Sequence, residues 1–169
     1  MVHLPTEPLG PAHDRGAFDC GNETLNRFLK QQARQEQDRH VSVCWVLPHP
    51  DNPGTICGYY TLSAYSIRLS DLPEAVTKKL PRSPYVPAAL LGRLAINAAH
   101  QGQGLGEHLL MDAMSKVLAH SKAMGTVALV VDAKNERSAA YYQGHGFIPF
   151  PSTPLRLFIH IDTVAQALG

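Results

Sequence analysis

The chain has 169 residues, 44% of them hydrophobic and 17% charged, and its formal net charge is +1 at pH 7. This composition is typical of a globular protein, so we expect a single domain over residues 1–169 and exclude a disordered chain. No window approaches the roughly 18 apolar residues of a membrane span, and the first residues lack a basic region followed by an apolar stretch, so we expect a cytoplasmic protein.

The cysteines and histidines form no recognisable disulfide or metal pattern. Cys20, Cys44 and Cys57 are widely spaced and odd in number, which predicts reduced thiols. The nine histidines include no H-x-x-x-H pair, and the sequence has no C-x-x-C pair. We therefore expect no metal site.

The N-terminal half predicts a helix followed by a β-hairpin. Leu25 and Leu29 mark an apolar helix face, and the Asn22 side chain can accept hydrogen bonds from the first turn of that helix. Residues 41–47 and 55–67 are strand-like and flank a turn rich in proline. Two strands joined in this way indicate an antiparallel hairpin.

A short helix and a longer strand are predicted next. Asp71 and Glu74 stand in the relation of a capping box, which predicts a helix start, and Pro81 would end that helix. Residues 89–96 then form an apolar run of strand length.

A glycine-rich loop, Gln-Gly-Gln-Gly-Leu-Gly at 101–106, joins this strand to an amphipathic helix that we expect over residues 104–118. Glycines let backbone N–H groups approach an anion closely, and the first turn of a helix adds unpaired donors and a partial positive charge. The loop therefore predicts a phosphate cradle. It lacks the spacing of a dinucleotide fingerprint or a Walker loop, and a tight connection without a ligand is the alternative.

The C-terminal third predicts a strand, a helix and two more strands. Residues 126–131 are apolar and β-branched, and Asn135 can cap a helix that ends near the Gly-Phe pair at 146–147. Residues 148–150 and 155–159 are the last strand candidates. Together the elements predict an α/β fold with a mixed sheet and helices on its faces.

Two of these segments resemble the GNAT superfamily of acetyl-CoA-dependent N-acetyltransferases. Residues 101–106 match its Q-x-x-G-x-G pattern, and residues 135–147 match N-(x)n-A-x-x-Y-x-x-x-G-F. The resemblance implies a mixed, mostly antiparallel sheet with splayed parallel strands at the acetyl-CoA site, and acetyl-CoA as co-substrate without a metal. It also implies that the cofactor pyrophosphate lies at Gln101, Gly102, Gln103, Gly104, Leu105 and Gly106.

The same resemblance gives roles to residues outside the loop. The strand edge formed by Leu94, Ala95 and Ile96 would pair with pantetheine, and a backbone N–H there would polarise the thioester carbonyl. Tyr142 matches the family tyrosine and would act as the general acid toward the coenzyme A thiolate, since a phenol with an ordinary pKa of about 10 is protonated at neutral pH. A packing role is the alternative for Tyr142. Asn135 could cap the helix, contact the cofactor, or do both.

A narrower resemblance extends over nearly the whole chain. Residues 18–29, 92–96 and 142–147 resemble the GNAT toxins of bacterial type II toxin–antitoxin systems, which acetylate the α-amino group of aminoacyl-tRNA and so block translation. The resemblance implies a ribbon-helix-helix antitoxin and a homodimer. An α-amino group has a pKa near 8, against about 10.4 for lysine, so no strong general base is required; a water relay and a base contributed by the fold are the two alternatives.

RNA binding by a chain of net charge +1 requires local basic clusters. Each basic residue could equally be a solvated surface charge. The candidates for RNA contact are Arg27, Lys30, Arg34, Lys78, Lys79 and Arg93, with Arg39, Arg68 and Arg82 nearby in sequence. Two other functions stay open: a small-molecule or protein N-acetyltransferase, and a non-catalytic acetyl-CoA-binding module.

Overall fold

The computed structural model describes residues 4–169. His3, one of the nine histidines considered for metal binding, lies outside the described residues. The strands are β1 (Glu7–Pro8), β2 (Val43–His49), β3 (Asn52–Arg68), β4 (Tyr85–Ile96), β5 (Ala128–Asp132), β6 (Ile148–Phe150) and β7 (Thr153–His160). The α-helices are α1 (Glu23–Arg27), α2 (Ala33–Asp38), α3 (Glu74–Thr77), α4 (Leu105–Ala123), α5 (Glu136–Gly144) and α6 (Ile161–Leu168).

The strands form one mixed sheet in the order β1-β2-β3-β4-β5-β7-β6. The pairs β1/β2, β2/β3, β5/β7 and β6/β7 are antiparallel, and β4/β5 is parallel. The mixed, mostly antiparallel sheet confirms the predicted fold class. The parallel pairing joins residues 89–91 to residues 129–131, and β4 continues for five residues beyond, to Ile96.

The chain divides into two compact units. Unit 1 comprises the chain up to Ser63 and Gly92–Ala113, and unit 2 comprises Ala64–Leu91 and Met114–Gly169. Aromatic and aliphatic side chains fill the interior of unit 1, among them Phe18, Phe28, Leu29, Val46 and Tyr59. The interior of unit 2 includes Ile67, Val86, Val130, Phe150 and Phe158.

Several local predictions are confirmed. The Asn22 side chain accepts a hydrogen bond from the Leu25 N–H at 3.1 Å, so it caps α1 as expected. Strands β2 and β3 form the predicted hairpin. The helix after the glycine loop is α4, and it runs to Ala123, five residues beyond the expected end.

The predicted capping box at Asp71 is wrong. Residues Leu69–Asp71 form a three-ten turn, Leu72 is extended, and α3 begins after Pro73 without a side-chain cap. The physical reason is the proline, which disfavours helical geometry in the residue before it. Asp71 therefore cannot belong to the turn that Glu74 opens.

Some elements were missed by the sequence analysis. Strand β1 has only two residues, and its pairing with β2 has no local sequence signal. Helix α6 was overlooked although Ile161, Val164 and Leu168 follow helical spacing. Between α1 and α2 the helix adopts a π-helical segment, Phe28–Gln32, where Arg15 donates to the carbonyl oxygens of Leu29 and Lys30 at 3.5 and 3.3 Å.

Among residues 4–169, no helix is long and apolar enough to cross a membrane. The three cysteines are free thiols; Cys44 and Cys57 are buried, whereas Cys20 is partly exposed. The described part of the chain contains no group of three or more histidine, cysteine, aspartate or glutamate side chains placed to hold a metal ion.

Candidate active site

In unit 1, Asn97 fixes the direction in which the chain leaves β4. Its backbone N–H donates to the Cys57 carbonyl at 2.8 Å, and its side-chain amide donates to the Ile56 carbonyl at 3.3 Å. The Asn97 carboxamide oxygen also accepts from the Ala99 N–H at 3.1 Å and so caps a three-ten turn over Ala98–His100. The segment that enters the glycine loop is thereby anchored to strand β3.

The glycine loop has the geometry of an anion cradle. Gly102 and Gly104 have φ of +79° and +78°, in the left-handed region that favours glycine. A Cβ atom added at Gly102, Gly104 or Gly106 would meet no heavy atom within 4 Å, so one face of the loop is open.

The start of α4 supplies the donors for this cradle. The His108 N–H donates to the Gly104 carbonyl at 3.1 Å, which closes the first turn of the helix. By helix geometry, the N–H groups of Leu105, Gly106 and Glu107 have no carbonyl partner within the helix. Open glycines beside helix N–H groups fit a pyrophosphate, which carries negative charge and needs only backbone donors.

The last residues of β4 pass very close to β3 at Gly58. A Cβ atom at Gly58 would lie 2.8 Å from Ile96 Cδ1 and 2.9 Å from the Ala95 carbonyl oxygen. Ala95 is buried, and Leu94 and Ile96 are partly exposed. Only glycine fits at position 58 without displacing the predicted pantetheine-binding strand, a requirement that no local sequence pattern indicates.

Arg93 is held by an aromatic platform. Its guanidinium carbon lies 3.7 Å from the centroid of the Phe28 ring, and Phe28 in turn stacks on Tyr59 with ring centroids 6.2 Å apart. Both aromatic side chains are buried. Arg93 is therefore a positioned cation stabilised by a cation–π contact, unlike a freely solvated surface charge.

The remaining basic candidates of unit 1 are less constrained. Arg27 and Lys30 are exposed, and Arg34 pairs with Asp38 at 3.5 Å across one helical turn. Such an exposed pair contributes little to stability. Arg27 and Lys30 thus retain the exposure that contact with a phosphate requires.

In unit 2, Asn135 caps helix α5. Its side-chain oxygen accepts from the Ser138 N–H at 2.8 Å, and its backbone is extended. This geometry confirms the predicted cap. It leaves the second expected role of Asn135, contact with the cofactor, as a proposal.

Tyr142 lies at the other end of α5, in a Schellman cap. The Phe147 N–H donates to the Tyr142 carbonyl at 3.1 Å, and the Gly146 N–H donates to the Gln143 carbonyl at 3.0 Å. Gly146 has φ of +94°, which the cap requires. The Y-x-x-x-G-F pattern therefore corresponds to a helix end that brings Phe147 back onto Tyr142.

The surroundings of Tyr142 keep its phenol protonated. Burial raises the pKa of Tyr142 above its usual value, and the neighbouring Tyr141 hydroxyl adds a smaller contribution in the same direction. Tyr141 is 45% exposed and packs against the ring of His145. The two adjacent tyrosines thus occupy different environments, Tyr142 the more buried one and Tyr141 the more exposed one.

Unit 2 contains two exposed lysines after α3 and a groove lined by two arginines. Lys78 and Lys79 follow α3 and are exposed. Arg68 lies over the Tyr85 ring at 5.8 Å, and these two residues line a groove of about 890 Å³ together with Arg82. Among the residues proposed for RNA contact, Lys78 and Lys79 are in unit 2, whereas Arg27, Lys30, Arg34 and Arg93 are in unit 1.

Comparison with known proteins identifies relatives of the whole chain. The sequence profile of the Acetyltransferase (GNAT) family matches residues 13–147. A probable toxin TacT of Sinorhizobium fredii is 31% identical over 96% of this chain and 94% of its own length. A tRNA-acetylating toxin of Mycobacterium tuberculosis is 30% identical over 95% of this chain and 94% of its own length.

Solved structures of similar proteins include complexes. AtaT complexed with acetyl-methionyl-tRNAfMet has a TM-score of 0.90 at 32% identity, covering 99% of this chain and 100% of the other. An AtaT mutant toxin bound to the C-terminus of the antitoxin AtaR and acetyl-CoA has a TM-score of 0.80 at 29% identity, covering 97% of each chain.

Proposed function

Since this chain belongs to the GNAT family of acetyltransferases, we propose that it transfers the acetyl group of acetyl-CoA to the α-amino group of aminoacyl-tRNA. It would act as the translation-blocking toxin of a toxin–antitoxin pair. The similarity to AtaT complexed with acetyl-methionyl-tRNAfMet carries this proposal, because it extends over 99% of the chain. We further propose that residues 1–169 form a single catalytic domain.

The proposed acetyl-CoA site uses the backbone of unit 1. The N–H groups of residues 102–106 would hold the pyrophosphate, since the open faces of Gly102 and Gly104 leave room for its oxygens. The edge of β4 at Leu94, Ala95 and Ile96 would pair with the amides of pantetheine. Acetyl-CoA supplies an activated thioester, and a backbone N–H of this edge would stabilise negative charge on the thioester oxygen.

Tyr142 would provide the proton for the leaving thiolate. Its raised pKa ensures that the phenol carries its proton at neutral pH, as a general acid must. The cap that joins Tyr142 to Phe147 also packs the Tyr142 ring edge to face against the Phe147 ring. Because the attacking α-amino group has a pKa near 8, about one tenth of it is already neutral at pH 7, far more than of a lysine with a pKa of about 10.4, so no strong protein base is required.

Each unit separately offers basic residues as candidates for contact with RNA phosphates. In unit 1, Arg93 is held on Phe28, and Arg27 and Lys30 are exposed. Lys78 and Lys79 are exposed in unit 2. Arginine and lysine at such positions can neutralise phosphates without reading the base sequence.

The proposed partners follow from the same relatives. AtaT has been solved with the C-terminus of the antitoxin AtaR, so we propose that this chain also binds an antitoxin. We propose a ribbon-helix-helix protein for that antitoxin, a homodimer for the toxin itself, and the cytoplasm as the compartment in which both act.

A labelling experiment tests the proposed substrate. The protein is incubated with [acetyl-¹⁴C]acetyl-CoA and, separately, with aminoacyl-tRNA, deacylated tRNA, free amino acids and a lysine-containing peptide. We expect label on aminoacyl-tRNA alone, released by mild base as an N-acetylamino acid. Label on the peptide or the free amino acids instead would replace this proposal with a protein or small-molecule acetyltransferase. Tight acetyl-CoA binding without any transfer would leave only the non-catalytic binding module.

A further inference from the structure

The Gln101 side chain connects the glycine loop to the N-terminal motif of unit 1. Its amide nitrogen donates to the carbonyl oxygens of Cys20 and Ile96, both at 3.0 Å. Cys20 precedes Gln101 by 81 positions and lies shortly before α1, the helix that carries the proposed RNA-contact residue Arg27. The side-chain donors of Gln101 are thus directed at the protein itself.

A second contact joins the same two segments. The Ala98 N–H donates to the Asp19 carbonyl at 2.7 Å. Ala98 lies in the three-ten turn that leads into the loop, so two consecutive residues, Asp19 and Cys20, each accept a hydrogen bond from the loop entry. Two adjacent contacts fix the distance between the turn at Asp19–Gly21 and the loop entry, and they also restrict rotation of one segment relative to the other.

Internal hydrogen bonds keep the N-terminal side of this contact rigid. The Asp19 carboxylate accepts from the Gly21 N–H at 2.9 Å and from the Asn26 side-chain amide at 3.0 Å. The Asn26 carboxamide oxygen accepts from the Cys20 N–H at 2.9 Å. Asn26 is buried in α1, and Gly21 has φ of +85°, so this turn and the start of the helix form one connected unit.

We infer that Gln101 is a positioning residue, which links the cofactor loop to the turn at Asp19–Gly21 and so sets the position of helix α1 relative to the strand end at Ile96. We name this set of contacts the Gln101 brace; it consists of Asp19, Cys20, Asn26, Ile96, Ala98 and Gln101. The inference rests on the proposed function only in taking Arg27 of α1 as an RNA contact. It assigns the side-chain donors of Gln101 to protein carbonyl oxygens, so the predicted cofactor contact of Gln101 would come from its backbone.

Gln101→Met tests the brace, because methionine keeps the length of the side chain and removes both donors. Hydrogen exchange at the Cys20 and Gly21 amides should become about tenfold faster, since these N–H groups belong to the turn that loses its support. The KM for aminoacyl-tRNA should rise about fivefold to tenfold, as expected for the loss of one or two hydrogen bonds. Acetyl-CoA affinity, measured by isothermal titration, should stay within about threefold of the wild type, because the backbone donors of the loop are retained.

Two variants serve as controls. Gln101→Arg keeps N–H donors at this position and should restore slow exchange and a low acceptor KM. Gln166→Met makes the same substitution at an exposed position of α6 and should leave both quantities unchanged. A thermal melt of each variant shows that the fold is intact.

Two results would overturn the inference. In one, Gln101→Met loses acetyl-CoA affinity by tenfold or more while exchange at Cys20 and Gly21 is unaltered, which would make the side chain a cofactor ligand. In the other, exchange and acceptor KM both equal those of the wild type. If the wild-type protein does not acetylate aminoacyl-tRNA, the proposed function fails, and the exchange measurement still decides whether the brace exists.

Discussion

The rings of Tyr142 and Phe147 pack edge to face across the end of helix α5, with centroids 5.5 Å apart. The Schellman cap at Gly146 creates this contact, because it reverses the chain directly after the helix. The spacing of the tyrosine and the phenylalanine is therefore a property of the helix end.

Replacement of Tyr142 by phenylalanine should lower kcat by about 10²-fold or more, because the leaving thiolate loses its proton donor. The ring contact with Phe147 persists, so acetyl-CoA affinity should be nearly unchanged. Steady-state kinetics and isothermal titration measure the two effects. Tyr141→Phe is the matched control and should keep wild-type activity, and full activity in Tyr142→Phe would remove this tyrosine from the mechanism.

The pH dependence of the reaction should reflect the raised pKa of Tyr142. Burial, the main cause, places this pKa above the ordinary value of about 10, so the phenol remains a proton donor up to at least that pH. We expect no decline in kcat between about pH 8 and 10, measured with a hydrolysis-resistant, amide-linked aminoacyl-tRNA analogue. A basic limb centred near pH 8 would be incompatible with Tyr142 as the acid.

A side chain at Gly104 should abolish acetyl-CoA binding. Gly104 has φ of +78°, and a Cβ atom there would enter the open face of the cradle. Gly104→Val should also cost about 1–2 kcal/mol of stability, since a branched residue is strained in this conformation. Isothermal titration gives the affinity. Gly125→Ala is the control, because Gly125 lacks a positive φ and has open space around it; normal binding by Gly104→Val would refute the cradle.

Substitutions at Asn135 can separate its two expected roles. Asn135→Ala removes the cap on Ser138 and should lower the free energy of unfolding by about 1 kcal/mol, as measured by urea denaturation. Asn135→Ser retains a capping oxygen and should be nearly as stable as the wild type. If Asn135 also contacts acetyl-CoA, the serine variant should bind the cofactor more weakly despite its stability. Equal stability of the alanine variant and the wild type would contradict the capping role.

Cys44 should make stability depend on pH in the alkaline range. Burial is the main reason why the pKa of the Cys44 thiol rises to about 12 in the folded protein, against about 8.5 in the unfolded chain. The folded state favours the neutral thiol, so Cys44 contributes to the free energy of unfolding. This contribution is complete below about pH 8.5 and is lost as the pH rises toward 12. Between about pH 8.5 and 10, the unfolding free energy of the wild type should fall by up to about 1 kcal/mol per pH unit more than that of Cys44→Ala. Parallel curves for the two proteins would show that the thiol is not desolvated.

The elements that sequence predicted well are those with local physical causes. Asn22 and Asn135 cap helices through hydrogen bonds that span three residues, and the glycines at 102 and 104 occur where the backbone needs a positive φ. The wrong prediction of a capping box at Asp71 also has a local cause, because the proline at 73 keeps the preceding residue out of helical geometry. Strand β1 had no such signal, since its conformation depends on pairing with β2.

The sequence by itself predicted the glycine loop before α4 and the caps of α5, because each depends on backbone geometry within a few residues, and its resemblance to the GNAT family singled out Tyr142. Only the tertiary structure placed Gln101 against Cys20, Gly58 beneath Ile96, and Arg93 on Phe28. These contacts join residues that are far apart in the chain, and their partners depend on which strands become neighbours in the sheet. Short-range hydrogen bonding and backbone conformation thus specify the local parts of the candidate site, while packing around the sheet decides which distant side chains hold those parts in position.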